Sequence, residues 1–84
     1  MKDNYIPLSS LSVGEKAVVK KLTSKGLIRR RLMDLGLINN TVVEVLHKSP
    51  LGDPVAYLIR GAVIALRSEV ASMILIEKFN LEEK

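Results

Sequence analysis

The sequence predicts a mainly β fold: a small, partly open barrel of about five short strands, with one short α-helix and one or two single helical turns. The chain has 84 residues, which is enough for one domain. Apolar residues make up 48% of it, and Leu, Ile and Val alone supply 29 of the 84. The Val- and Ile-rich runs are short and are separated by Gly, Pro and Asn. Closing such short strands into a barrel removes exposed strand edges.

Short extended segments are spread over the whole chain, and turn residues separate them. Asn39-Asn40 is a turn signal, because Asn tolerates positive φ. Arg60-Gly61 is so short a break between two apolar runs that it predicts a hairpin. An SH3-like barrel is the leading architecture, and an OB-like barrel, which usually needs longer strands, is second. The predicted extended segments are 6–8, 17–22, 41–47, 55–59, 62–66 and 74–76.

One amphipathic helix is predicted between Leu27 and Leu35. Its apolar stripe consists of Ile28, Leu32 and Leu35. Thr23 and Ser24 are the candidate N-caps, and Gly36 supplies the left-handed residue that ends the helix. A single helical turn is predicted from Ser68, which would cap it.

No linker or repeat divides the sequence, so we expect one domain over residues 1–84, with a charged tail at 78–84 that frays. The absence of Cys excludes disulfides and thiolate chemistry. No run approaches the 20 or so apolar residues of a membrane span, and no secretory signal is visible. We therefore expect a cytoplasmic protein with no direct membrane insertion.

The sequence offers little for catalysis or for a bound cofactor. His47 is the single histidine, and no pair of carboxylates is placed to act with it. His47, Glu44 and Asp53 lie within ten residues, but their spacing does not resemble a dedicated metal site. No Gly-rich phosphate loop is present. We expect no enzymatic activity, no cofactor and no metal site.

Basic residues are concentrated in one stretch of the chain. The net charge is +4, and no acidic residue interrupts the stretch from 16 to 31. A solvated face, a nucleic-acid surface and a surface for an acidic protein are the alternatives. No aromatic residue lies among these cations, which disfavours base stacking. The seven cations are Lys16, Lys20, Lys21, Lys25, Arg29, Arg30 and Arg31.

The loop from Ser49 to Pro54 is the second candidate feature. Leu51 lies at its tip, between Pro50 and Gly52. The leucine either folds back on the barrel rim or serves as an apolar anchor for a partner. The sequence does not choose between these two interpretations.

Four motifs in order resemble the ferrous iron transport protein A (FeoA) family. They are Arg30-Arg31-Leu32-Met33-Asp34-Leu35-Gly36-Leu37, the strand from Thr41 to Leu46, the loop from Ser49 to Pro54, and Gly61 followed by Ala65-Leu66-Arg67 and Glu69-Val70-Ala71. The resemblance covers about residues 8 to 77. Asn39-Asn40 replaces a frequent Pro-Gly of the family and keeps a turn-forming pair, whereas Ala62 replaces a frequent Tyr and removes its ring.

This resemblance implies an SH3-like cytoplasmic accessory protein that regulates ferrous iron uptake. The implied partner is the cytoplasmic, GTPase-bearing part of the FeoB membrane transporter, which would recruit the protein to the inner face of the membrane. A nucleic-acid-binding small β-barrel that uses the 16–31 stretch is the alternative, although we expect no nucleic-acid partner. Self-association also remains open. The candidate partner-binding residues are Leu51, Gly52, Asp53, Pro54, Arg29, Arg30 and Arg31.

Overall fold

A computed structural model of the protein describes residues 5–79. The described chain forms one antiparallel sheet of six strands in the order β1-β6-β2-β3-β4-β5. A short 3-10 turn follows β1, the helix α1 lies between β2 and β3, and the helix α2 lies between β5 and β6. The bounds are β1 Ile6–Pro7, 3-10 turn Leu8–Ser10, β2 Lys16–Leu22, α1 Gly26–Asp34, β3 Val42–Lys48, β4 Val55–Ile59, β5 Ala62–Leu66, α2 Ser68–Ala71 and β6 Ile74–Lys78.

The predicted mainly β, SH3-like and partly open fold is confirmed. The sheet bends at two bulges, where β2 and β3 each carry one extra residue against their partner strands. The ends of the sheet, β1 and β5, do not pair with each other, so the sheet is not closed. The sixth strand arises because the segment Ile6–Pro7 pairs with β6.

The predicted hairpin at Arg60-Gly61 is also confirmed. Both residues have positive φ, 51° and 84° respectively, as a two-residue hairpin turn of type I′ requires. The predicted turn at Asn39-Asn40 has Asn40 at a φ of 72°. The flanking strands β4 and β5 begin and end at the residues that the sequence predicted.

The start of α1 differs from the prediction. The N-cap is Lys25, which makes no side-chain capping bond. The hydroxyl of Thr23 instead donates to the Met73 carbonyl, and Ser24 is buried without a hydrogen-bond partner. The predicted stripe is wrong at Ile28, which is 44% exposed. The reason is that the core reaches only the C-terminal half of the helix, where Leu32 is its one buried residue.

The end of α1 follows the prediction. Gly36 has a φ of 102°. Its N–H donates to the Met33 carbonyl, and the N–H of Leu37 donates to the Leu32 carbonyl, both at 3.0 Å. This pair of bonds is the Schellman motif, in which a left-handed residue satisfies the last carbonyls of a helix. Leu37 is fully buried behind it.

The core lies between the bent sheet and its connecting segments. Tyr57 is its largest fully buried side chain. Burying apolar side chains of this size contributes about 1.5–3 kcal/mol each. The buried apolar residues are Leu8, Leu11, Ala17, Val19, Leu32, Leu37, Val43, Val45, Val55, Tyr57, Ile59, Leu66, Ala71, Ile74 and Ile76.

The last strand runs further than the sequence predicted. Lys78, at the start of the segment expected to fray, pairs with Ala17. Its ammonium lies 3.0 Å from a carboxylate oxygen of Glu15. The Ser12 backbone N–H, together with Lys78, holds the pKa of Glu15 below its ordinary value. The remainder of the expected fraying tail, residues 80–84, lies outside the described residues.

Candidate binding surfaces

The 49–54 loop displays its leucine to solvent. The Gly52 N–H donates to the Ser49 carbonyl at 2.8 Å, and the Ser49 N–H donates to the Pro54 carbonyl at 3.2 Å. These two bonds close the loop on itself. Leu51 at the tip is 93% exposed, the highest value among the large apolar residues described. The leucine therefore does not fold back on the barrel rim.

Asp53 ties the loop to α2. Its carboxylate accepts a hydrogen bond of 2.8 Å from the backbone N–H of Ser68, the first residue of α2. The predicted cap was the Ser68 side chain, but Arg67 is the N-cap and makes no side-chain bond. The positive end of a helix dipole favours a carboxylate at this place. Asp53 therefore connects the loop to the fold.

The same carboxylate influences a buried tyrosine. Burial is the main cause that raises the pKa of the Tyr57 hydroxyl above its ordinary value of 10.0. The negative charge of Asp53 adds to the shift, because it disfavours the tyrosinate. Tyr57 is 2% exposed, so its ring cannot serve as a stacking surface for a base.

The three arginines of α1 are all exposed. Arg29 donates from its guanidinium to the Leu22 carbonyl at 3.3 Å, which ties the helix to the end of β2. Arg30 and Arg31 lie further around the helix. The two ion pairs found within residues 5–79 are Lys20–Glu77 and Lys78–Glu15, so neither involves α1. The arginines thus form a positively charged surface.

The loop and the arginines do not form one continuous site. The loop residues Asp53 and Pro54 directly precede β4. Arg60 follows the other end of β4, and its side chain lies close to Gly36, just beyond α1. A five-residue strand extends over about 15 Å. No hydrogen bond or ion pair of the described residues links the 49–54 loop with α1. The candidate residues therefore form two separate surfaces.

The candidate metal ligands of the sequence remain scattered. His47 is exposed near the end of β3. Among residues 5–79, no group of three or more His, Asp or Glu side chains could hold a metal ion. The described part of the chain therefore offers exposed surfaces but no cluster of metal ligands.

The exposure of two apolar residues in the first turn of α1, Leu27 and Ile28, was not predicted from the sequence. Leu27 is 85% exposed and lies in the first turn of α1, shortly before three arginines. The sequence carried one usable signal, because Leu27 falls outside the predicted apolar stripe. Neither helix of the described chain is long and apolar enough to cross a membrane.

These features define a small SH3-like β domain with two exposed surfaces, one a leucine-tipped loop and the other a basic helix. The model of the FeoA domain family matches residues 6–78. The chain belongs to the FeoA family, which is linked to ferrous iron transport.

Similar proteins agree with this assignment. The Fe(2+) transport protein A/Fe(2+) transporter FeoB fusion protein of Porphyromonas gingivalis is 34% identical over 70 residues, which are 83% of this chain and 8% of that much longer protein. The solution structure of FeoA from Chlorobium tepidum is 35% identical, with a TM-score of 0.83 over 88% of this chain and 70% of that one.

A third similar protein is the zinc complex of FeoA from Stenotrophomonas maltophilia, described as an SH3 domain protein and a candidate ferrous iron transport activating factor. It is 28% identical, with a TM-score of 0.77 over 86% of this chain and 89% of that one. These neighbours place the SH3-like fold within the family.

Proposed function

We propose that this protein is a non-enzymatic accessory protein of ferrous iron uptake that binds the cytoplasmic, GTPase-bearing part of a FeoB-type transporter. The observation that carries the proposal is the fusion relative, in which a similar FeoA segment and a FeoB transporter share one chain. Fusion keeps two parts at high effective concentration, which is useful when they contact each other.

The Leu51 loop supplies the direct contact. An apolar side chain that is 93% exposed gains most from burial in a partner's pocket. The loop is also ordered before binding, because its two internal hydrogen bonds and the Asp53–Ser68 bond hold it. Such preorganisation reduces the entropy lost on association.

The arginines of α1 supply long-range attraction and orientation. They lie about the length of β4 away from the loop, so they act as a charged surface and not as part of the same contact. Exposed charges of this kind chiefly raise the association rate, and salt screens their effect.

Binding of Leu51→Asp to the purified cytoplasmic region of the transporter tests the contact. We expect a loss of at least about 30-fold in affinity, which is the scale of a hot-spot residue. Val63→Asp is the matched control, because Val63 is also an exposed apolar residue (65%) but lies on β5. Unchanged affinity for a folded Leu51→Asp variant, or an equal loss in both variants, refutes the contact.

Arg30→Glu tests the charged surface, with Lys16→Glu as the control that makes the same charge change at an exposed position of β2. We expect Arg30→Glu to slow association, and the difference to shrink as salt rises. Equal rates for the two variants at low salt contradict a role for α1. A gel-shift assay with duplex DNA tests the nucleic-acid alternative, which predicts tight, salt-dependent binding.

A further inference from the structure

The first turn of α1 exposes apolar surface at the end of the helix. We call residues 25–31 the α1 tip. Within it, Leu27 is 85% exposed and Ile28 is 44% exposed. Leaving a leucine in water forgoes the favourable free energy that its burial would supply. The fold does not bury this side chain, so the side chain is free to be buried against a surface outside the described chain.

The α1 tip also lacks negative charge where a helix would favour it. The first turn of α1 holds no acidic residue, and its N-cap, Lys25, is itself a cation. The helix α2 shows the opposite arrangement, with Asp53 bonded to its first N–H and Glu69 in its first turn. Cations at the positive end of a helix dipole are unfavourable. An external anion would relieve this repulsion.

Two cations of the tip lie beside the exposed leucine. Arg30 and Arg31 lie three and four residues after Leu27, so they share its side of the helix. All of these side chains and Lys25 are exposed. The tip therefore combines exposed apolar side chains with exposed positive charge.

We propose that the α1 tip docks peripherally on an anionic lipid bilayer. Leu27 and Ile28 enter the headgroup region, while Lys25, Arg30 and Arg31 contact lipid phosphates. Stable attachment to a membrane surface takes two signals, an apolar insertion and a polybasic patch, and the tip holds both. The contact is interfacial and includes no membrane span.

A fluid lipid surface fits the tip better than a nucleic acid or an acidic protein does. Nucleic-acid phosphates would pair with the cations but would leave Leu27 in water. A protein partner would need a pocket shaped to one protruding helix end, whereas lipid headgroups rearrange around it. The charge is complementary to acidic lipids, and the two apolar side chains match the boundary with the acyl chains.

Co-sedimentation of the full chain with lipid vesicles tests the proposal. The vesicles contain phosphatidylcholine alone or phosphatidylcholine mixed with phosphatidylglycerol. We expect binding to the anionic vesicles only, with a loss as salt rises above about 0.15 M, where screening acts within about 8 Å. Arg30→Gln should weaken binding about fivefold, and Leu27→Ser about tenfold.

Val63→Ser is the matched control, because it removes an exposed apolar side chain of β5 and should bind like the unchanged protein. Equal binding to neutral and anionic vesicles overturns the proposal. So does wild-type binding by Leu27→Ser, or an equal loss in Val63→Ser. A fourth result would overturn the proposal: tight binding to duplex DNA that is the same for the wild type and Leu27→Ser. That result would assign the basic surface to nucleic acid.

The vesicles contain no transporter, so this result does not depend on the proposed function. Leu51→Asp should bind vesicles like the wild type, because the loop lies away from the tip. Loss of vesicle binding in Leu51→Asp with its fold intact contradicts the separation of the two surfaces. Thermal unfolding verifies the fold of each variant, and exposed Leu27 can be replaced without opening a cavity in the core.

Discussion

Asp53 is the residue whose role changes most between sequence and structure, and its replacement gives a sharp prediction. The sequence placed Asp53 in a partner-binding loop, whereas its carboxylate lies 2.8 Å from the Ser68 N–H. Asp53→Ala removes the only side-chain acceptor found for the start of α2 within residues 5–79. Loss of an N-terminal capping acceptor costs about 1 kcal/mol, within a range of about 0.5–2.

This cost should be visible in thermal unfolding. For a domain of this size, a loss of about 1 kcal/mol lowers Tm by about 4–8 °C. Asp53→Asn is the matched variant, since an amide oxygen can accept the same hydrogen bond but carries no charge. We expect Asp53→Asn to lose clearly less stability than Asp53→Ala. Circular dichroism during heating and in urea measures both.

The tyrosine provides a second, independent measurement on the same variants. Both replacements remove the charge that helps to raise the pKa of Tyr57, so the phenol should ionise at lower pH than in the wild type. The background variant Tyr5→Phe makes Tyr57 the only tyrosine, so absorbance of the tyrosinate reports it alone. An Asp53→Ala variant with unchanged Tm and unchanged tyrosine titration refutes the structural role of Asp53.

Three further predictions test the fold. Gly36→Ala should lower the free energy of unfolding by about 1–3 kcal/mol, because its φ of 102° disfavours any side chain and the Arg60 side chain, 2.6 Å from an added Cβ, must also move. Gly26→Ala has a φ of 64° but open space around it, so it should cost less in the same urea titration. Leu37→Ala should lower the free energy of unfolding by about 2–5 kcal/mol, because the side chain is fully buried. The exposed Leu51 is the control, and Leu51→Ala should change Tm little. Equal Tm values for the two variants contradict the burial pattern. Folding raises the pKa of Tyr57, so the neutral phenol contributes fully to the free energy of unfolding at pH values below its pKa in the unfolded chain. This contribution is lost as pH rises through the pKa of Tyr57 in the folded protein. Stability in urea should therefore fall above about pH 10, and less steeply in Tyr57→Phe.

The strands were predictable because local rules and tertiary structure agree there. In β4 and β5, two continuous apolar runs flank a two-residue turn, and the structure gives both strands the predicted bounds. Gly36 likewise ends α1 where the sequence placed the end, since the Schellman motif is a local signal. The extended conformation of Ile6–Pro7 was predicted as well, but its pairing with β6 was not, because a two-residue strand depends on a partner that lies about 70 residues away in the chain.

The caps were not predictable for the opposite reason. Ser68 and Ser24 are good local candidates, but the acceptor for α2 comes from Asp53, 15 residues earlier, and α1 takes no side-chain cap. Capping preferences describe the chain near the helix and cannot include a loop that tertiary packing brings to it. The exposure of Ile28 has the same origin, because periodicity places it on the apolar face although the core ends before it.

The two exposed leucines differ in how the fold supports them, and this difference suits different partners. Leu51 stands on a loop that internal hydrogen bonds and Asp53 hold in place, so it can fill a pocket of fixed shape at little entropic cost. Leu27 stands in the first turn of α1, which has no side-chain cap and whose neighbouring cations Arg30 and Arg31 are exposed. A loop held in place favours a specific protein contact, and a protruding basic and apolar helix end favours a surface that adapts to it. A transporter set in an anionic bilayer would offer both surfaces to one small domain.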